Sequence, residues 1–68
     1  MKISVKLSRE KKIKVFNLEE GSIVLDLLRK LKLKPDTVIV LDNNMPIPDD
    51  DILHDKQNLS ILIVSSGG

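Results

Sequence analysis

Apolar and polar residues alternate strictly at the start of the chain. Ile3, Val5 and Leu7 occupy every second position, and lysine or serine fills the positions around them. Successive side chains of a strand point to opposite faces, so the pattern predicts a strand over residues 2–8 with one buried and one solvated face. Residues 9–11 then turn the chain.

A second strand is predicted over residues 12–18, but its pattern changes phase. Ile13 and Val15 alternate in one phase, whereas Phe16 and Leu18 follow the other. We therefore expect a bulge or a change of face near Val15 and Phe16.

The next segment has the period of a helix. Ser22 is a suitable N-cap, because its hydroxyl can accept a hydrogen bond from an unpaired amide of the first turn. Asp26 and Lys30 are spaced to pair, and Pro35 prevents continuation. The pattern predicts one amphipathic helix over residues 22–32 that packs on a sheet. Its apolar stripe consists of Val24, Leu27, Leu28 and Leu31.

Three more strands are predicted in the second half of the chain. Residues 37–41 are apolar without alternation, which is typical of a strand covered on both faces. Residues 42–44 form a turn, and the prolines of segment 45–48 restrict it to a short edge strand. A polar connection follows, and the last strand covers residues 58–64.

The predicted order is strand, strand, helix, strand, short strand, strand. A hairpin, a helix that crosses one face, and a final strand beside the first give a mixed sheet of four or five strands. This α+β arrangement is the β-grasp fold. We expect it to span residues 1–64, with residues 65–68 as a flexible C-terminal tail that ends in Gly-Gly.

Composition excludes several classes of function. The chain has no cysteine, which excludes a disulfide framework, a thiolate metal site and a cysteine nucleophile. Its start alternates instead of forming a signal peptide, and its longest apolar runs have only four residues. We therefore expect a cytoplasmic protein without a membrane segment.

Charge is distributed unevenly along the chain. Residues 1–34 carry +6 and residues 35–68 carry −5, which gives the net charge of +1. The basic half lacks tyrosine and tryptophan for base stacking and contains no nucleic-acid-binding motif. We therefore expect lysines on solvated faces and no nucleic-acid partner. We also expect the protein to be a monomer.

The only histidine, His54, lies within a run of carboxylates. Their spacing matches no metal-ligand template, and a surface loop would hold them loosely. We interpret the segment as a solvated polar connection rather than a metal or acid-base site. The carboxylates belong to Asp49, Asp50, Asp51 and Asp55.

Gly67 and Gly68 are the most informative residues. Because glycine makes up ~7% of residues, two glycines occupy the last two positions by chance in only about 0.5% of chains. The alternative interpretation is a linker remnant or an incidental end. A terminal carboxylate that must reach deep into a partner's active site needs a tail without side chains, so we interpret Gly68 as a carboxylate that a partner activates.

Such a carboxylate needs a better leaving group than hydroxide. A partner enzyme that binds ATP and magnesium would supply one by forming an acyl-adenylate at Gly68. A sulfur or nitrogen nucleophile then gives a thiocarboxylate, a thioester or an isopeptide. In this interpretation the chain is a substrate and carrier rather than an enzyme, and it binds no cofactor or metal itself.

The last strand indicates where a partner docks. If its odd-numbered residues face the helix, Leu62 and Val64 lie on the open face just before the tail. Scattered exposed apolar residues are normal, but these two are close to Gly67. We therefore predict a docking patch of Leu62, Val64, Ser65 and Ser66.

Three segments of the chain, residues 18–28, 40–53 and 64–68, carry a resemblance to a known family. In their order over the whole length, the chain resembles the sulfur-carrier and ubiquitin-like family. This family includes the thiamine-synthesis and molybdopterin-synthase carriers, the ubiquitin-related modifiers and the archaeal small modifier proteins. Two departures fall in turns: Lys56-Gln57 stands where relatives usually have Gly-Asp, and Asn43-Asn44 where many have Asn-Gly.

The resemblance implies a ubiquitin-activating-type adenylating enzyme that uses ATP, and a sulfur donor upstream of it. Three functions stay open. A sulfur carrier, which we place first, ends its cycle with a thiocarboxylate at Gly68 for thiamine, molybdopterin or tRNA thiolation. A protein modifier instead joins Gly68 to lysines of target proteins, and an adaptor module binds without covalent chemistry.

Overall fold

All five predicted strands form one sheet in the computed structural model, which describes residues 1–8 and 10–64. The order across the sheet is β2-β1-β5-β3-β4, in which β1 and β5 are parallel and the other neighbours are antiparallel. One helix, α1 (Val24–Lys30), packs on this mixed sheet, so the predicted β-grasp fold is confirmed. The strands are β1 (Lys2–Leu7), β2 (Ile13–Asn17), β3 (Val38–Asp42), β4 (Met45–Ile47) and β5 (Gln57–Ile63).

The core lies between α1 and one face of the sheet. Burying an aliphatic side chain of this kind stabilises the fold by about 1.5–3 kcal/mol relative to leaving it exposed, so this layer is the main source of stability. The helical stripe and the alternation of β1 both place their residues as predicted. The side chains that are at most 1% exposed are Ile3, Val5, Val24, Leu27, Leu28 and Ile61.

The ladder between β1 and β2 is regular, so the predicted bulge near Val15 and Phe16 is wrong. Ile3 lies opposite Phe16 and Ser4 lies opposite Val15, without an extra residue on either strand. Phe16 packs against the core, whereas Val15 is exposed on the other face. The apparent change of phase arises because β2 carries apolar side chains on both of its faces.

The polar connection between β4 and β5 caps the start of α1. The Val24 amide donates a hydrogen bond of 3.0 Å to the Asp51 carbonyl. The Leu25 amide donates one of 2.8 Å to the Asp49 carbonyl. Amides in the first turn of a helix have no partner within the helix, so these main-chain carbonyls satisfy two of them.

The predicted N-cap role of Ser22 is wrong. The N-cap residue is Ile23, whose amide donates to the Asp26 carboxylate at 2.9 Å. The Ser22 hydroxyl instead donates to the Glu19 carbonyl at 2.6 Å, in the turn that precedes the helix. Asp26 also forms its ion pair with Arg29, at 3.9 Å, rather than with the predicted lysine.

The end of α1 is a Schellman motif. The Leu33 amide donates to the Leu28 carbonyl at 2.9 Å, and the Lys32 amide donates to the Arg29 carbonyl at 3.1 Å. Lys32 has a φ of 59°, a left-handed conformation that stops the helix before the proline that was expected to do so. In the part of the chain that the structure describes, no helix is long and apolar enough to cross a membrane.

Two turns contain residues in the left-handed region. Asn43 and Asn44 have φ values of 53° and 66° and connect β3 to β4 as a two-residue hairpin, the pattern of a type I′ turn. Asparagine tolerates this conformation better than most residues, so the departure from Asn-Gly preserves the hairpin. Lys56, just before β5, has a φ of 63° at a position where relatives usually have glycine.

Candidate functional site

Strand β5 carries the predicted docking residues and leads to the predicted reactive end. Leu59 and Ile61 face the helix and are 3% and 1% exposed. Leu62 and Val64 point to the opposite, open face and are 42% and 50% exposed. The predicted assignment of faces is therefore confirmed.

The end of β5 is held on both sides by hydrogen bonds. The Val64 amide donates to the Thr37 carbonyl at 2.9 Å, and the Ile63 amide donates to the Ser8 hydroxyl oxygen at 3.3 Å. The chain thus stays fixed to the sheet as far as Val64. Ser65, Ser66, Gly67 and Gly68 lie outside the described residues, so their roles in docking and activation stay predictions.

Strand β3 adds an apolar residue that the sequence analysis missed. Ile39 lies directly opposite Leu62 in the antiparallel ladder and is 38% exposed. Together with Val64 these side chains form what we call the apolar strip: Ile39, Leu62 and Val64. The prediction that β3 is covered on both faces is wrong, because α1 covers one face only. The sequence predicts only one helix, which can cover only one face of the sheet, and this signal could have corrected the prediction.

A shallow hollow of ≈ 270 Å³ adjoins the apolar strip on the open face. Leu41 and Leu62 form apolar parts of its lining, and Ser60 and Ser8 contribute hydroxyls. Lys6 of β1, an exposed residue, places a positive charge at the same hollow. A partner that docks here would therefore meet aliphatic side chains on one side and a cation on the other.

A larger hollow of ≈ 620 Å³ lies at the start of α1, and two of the polar side chains that line it form hydrogen bonds at the helix start. Its lining includes Ser22, whose hydroxyl is bonded to Glu19, and Asp26, whose carboxylate accepts the Ile23 amide. These bonds hold the turn and the first helical residues together. We therefore assign this hollow to the architecture of the helix rather than to a functional site.

The acidic connection serves structure as well. Within residues 1–8 and 10–64, no group of three or more histidine, aspartate or glutamate side chains is placed to hold a metal ion. His54 is exposed, and its amide donates to the Gln57 side chain at 2.9 Å. The Asp55 carboxylate accepts the Lys2 amide at 2.8 Å, and this bond holds the pKa of Asp55 below its ordinary value.

The fold and the apolar strip beside the end of β5 define a ubiquitin-like β-grasp protein. The family model of small archaeal modifier protein 2 matches residues 1–64, and the chain belongs to this family. The matched span is the same as the predicted domain.

Solved structures agree with this fold. The crystal structure of SAMP1 from Haloferax volcanii has a TM-score of 0.78 and 17% sequence identity, with all of both chains covered. The ubiquitin of Caldiarchaeum subterraneum has a TM-score of 0.75 and 17% identity, with 100% of this chain and 98% of that chain covered. At such identities the likeness establishes the fold alone. No curated protein matches the chain.

Proposed function

We propose that this chain is a ubiquitin-like protein that acts through an activated carboxylate at Gly68, either as a protein modifier or as a sulfur carrier. The observation that carries the proposal is the fixed end of β5, where a hydrogen bond holds Val64 to Thr37 and the sequence continues as Ser-Ser-Gly-Gly. Four extended residues span at most about 13–14 Å. That reach allows a carboxylate to enter a partner's active site while the folded domain stays at its entrance.

The chemistry requires an adenylating partner. Its bound magnesium and ATP would bring the α-phosphate to the Gly68 carboxylate, which attacks phosphorus and displaces pyrophosphate. The resulting acyl-adenylate has AMP as its leaving group. The chain has no cysteine, so any thiol in a subsequent thioester belongs to the partner.

Two fates of the acyl-adenylate remain to be distinguished. Membership of a modifier family supports attack by a lysine amine of a target protein, which gives an isopeptide bond and releases AMP. The resemblance to thiamine-synthesis and molybdopterin-synthase carriers supports attack by sulfide-level sulfur from a donor, which displaces AMP and gives a thiocarboxylate. Both fates would require ATP, which supports a location in the cytoplasm, where ATP is available. An adaptor that binds without covalent chemistry would need neither ATP nor a reactive carboxylate at Gly68.

Docking is proposed to take place on the apolar strip, with Ser65 and Ser66 in the channel that leads to the adenylation site. The strip is half-exposed and adjoins the point at which the chain leaves the sheet. Exposed apolar side chains that lie together on a surface mark interaction sites more often than scattered ones do. The strip would thus hold the domain while the tail enters the partner.

The decisive experiment is intact mass spectrometry after incubation with an activating enzyme, ATP, magnesium, a sulfur source and lysine-containing proteins. Lysine-linked conjugates that disappear on deletion of Gly68 support the modifier. Replacement of one oxygen by one sulfur at the C-terminus supports the carrier. If deletion of Gly67 and Gly68 leaves every product and phenotype unchanged, both fail and the adaptor interpretation takes their place.

A matched pair of variants tests the docking strip. Leu62→Asp should lower kcat/KM of adenylation about tenfold or more, because it places an unpaired charge where the docked partner would bury an apolar side chain, and about 1.4 kcal/mol corresponds to tenfold. Ile52→Asp makes the same change at a residue that is 55% exposed but lies beside the start of α1, and it should leave adenylation unchanged. Equal effects of the two variants would remove the strip from the proposal.

A further inference from the structure

Strand β2 forms an open edge of the sheet. In the described residues it pairs with β1 on one side, and no strand lies on its other side. An edge strand of this kind offers unpaired main-chain groups to any extended segment that reaches it. This edge is separated from β5, and thus from the apolar strip, by the whole width of β1.

The hydrogen bonds at the end of the hairpin show which groups of β2 point outward. The Met1 amino group donates to the Leu18 carbonyl at 2.8 Å, and the Leu18 amide donates to the Met1 carbonyl at 2.9 Å. Bonded and non-bonded pairs alternate along an antiparallel ladder. The regular register therefore directs the amides and carbonyls of Ile13, Val15 and Asn17 away from β1, toward the free edge.

The side chains of β2 divide by charge and polarity. Ile13 and Val15 are 65% and 58% exposed on the open face of the sheet. Lys12 and Lys14 alternate with them and are exposed as well. Lys14 lies 3.5 Å from the Glu10 carboxylate, but both side chains are largely exposed, and an exposed pair of this kind is weak. The edge is thus basic on one side and aliphatic on the other.

We propose that the β2 edge binds an extended acidic segment of a partner protein as a sixth, edge-added strand. Outward main-chain groups would bond to the segment, as in other cases of strand addition. An alternating partner would place β-branched side chains beside Ile13 and Val15 and carboxylates beside Lys12 and Lys14. Charge complementarity selects this occupant, because β2 contains no carboxylate and a second copy would therefore bring no opposite charge to Lys12 and Lys14.

The opposite edge of the sheet cannot serve in the same way. Strand β4 has three residues and contains Pro46, and Pro48 follows it directly. Proline has no amide to donate to a ladder. Lysines on an edge also protect it from pairing with other copies, but that role does not account for the exposed aliphatic side chains of Ile13 and Val15.

A synthetic peptide of sequence Asp-Val-Glu-Ile-Asp-Val-Glu, with blocked ends, tests the proposal on the wild-type chain. Amide NMR titration should show the largest shifts at residues 12–17. A peptide with lysine in place of each acidic residue should bind about tenfold more weakly or not at all. A peptide that is N-methylated at the alternate backbone amides facing β2 should not bind, because these amides can no longer donate hydrogen bonds. Equal binding of the acidic and lysine peptides overturns the proposal, as does a response centred on Ile39 and Leu62.

Variants of the chain supply the complementary test. The double change Lys12→Glu and Lys14→Glu should raise the Kd of the acidic peptide about tenfold. The same change of charge at Lys32 and Lys34, beyond the end of α1, should leave the Kd within twofold, and an equal loss would mean that net charge alone drives binding. Val15→Pro removes an outward amide and should abolish binding; should this variant not fold, the methylated peptide decides the point.

Two further results separate this surface from other possibilities. Deletion of Gly67 and Gly68 should leave peptide binding unchanged, so the outcome is independent of the chemistry proposed at Gly68. Sedimentation of the wild-type chain should show no growth in mass with concentration. Self-association that Lys12→Glu alters would identify a second copy as the occupant and overturn the proposal.

Discussion

The two faces of the sheet carry the same kinds of side chain, but these side chains have different roles. On the face that α1 covers, Leu59 and Ile61 of β5 are buried. On the other face, Leu62 of the same strand is about half-exposed beside Ile39. Neighbouring residues of nearly equal hydrophobicity thus differ in burial only because they point in opposite directions.

The difference follows from the size of the chain. The described part of this 68-residue chain contains one α-helix, and one helix covers one face of a five-stranded sheet. Small domains leave a large share of their surface exposed for this reason. Aliphatic residues on the uncovered face contribute little to stability, so a substitution there can change binding without unfolding the protein. This separation is what the docking proposals at both Leu62 and Val15 require.

The largest expected effect compares adjacent residues of β5. Ile61→Ala should lower the free energy of unfolding by about 2–5 kcal/mol, because it removes buried methylene groups and leaves a cavity. Leu62→Ala should change it by less than about 0.5 kcal/mol, as surface substitutions usually do. Urea unfolding followed by circular dichroism measures both. Similar losses for the two variants would show that the open face is covered in solution.

Periodicity predicted the covered face well. Alternation in β1 and the stripe of α1 identified Ile3, Val5, Val24, Leu27 and Leu28 as core residues, and all five are buried. These assignments depend only on the local repeat of the strand and the helix. The docking residues of β5 were assigned to the correct face for the same reason.

Features that depend on tertiary contacts were not predictable in this way. Ile39 belongs to the apolar strip because β3 lies beside β5, and four consecutive apolar residues carry no information about which face is open. Ser22 lost its N-cap role because carbonyls of the acidic connection, about 25 residues further along the chain, satisfy the helix amides. The predicted site beyond Val64 remains a hypothesis from sequence, motivated by the two glycines and by the family resemblance.

A smaller effect is expected at the end of the helix that covers the core. Lys32→Gly should raise the free energy of unfolding by about 1 kcal/mol, because glycine adopts the left-handed conformation of the Schellman motif without steric cost. Adenylation and peptide binding should stay unchanged, since the open face is not touched. Thermal unfolding measures the first and the assays above measure the second.

The neighbouring variant Lys30→Gly is the control for Lys32→Gly. Lys30 lies in the last turn of α1, where glycine should cost about 0.5–1 kcal/mol. The two variants remove the same side chain and the same charge, so opposite signs would attribute the effect to backbone conformation. A loss of stability in both would show that Lys32 does not hold the left-handed conformation in solution.

The smallest expected effect on stability concerns Asp55, which lies shortly before the first residue of β5. The Asp55 carboxylate accepts the Lys2 amide, which ties the start of β5 to β1 and lowers the pKa of Asp55. A lowered pKa means that this contribution to stability is present above the ordinary pKa of 3.8 and is lost as the pH falls through the lower, folded value. Asp55→Asn should therefore be less stable than the wild type at pH 7 and 5, and the gap should narrow below pH 4. Asp36→Asn makes the same change at an exposed residue of a different segment and is the control, and urea midpoints at each pH measure both variants. A stability difference between the wild type and Asp55→Asn that widens at low pH would contradict the assignment of this hydrogen bond. An unchanged adenylation rate of Asp55→Asn at pH 7 would confirm that the bond supports the sheet without contributing to docking on the open face.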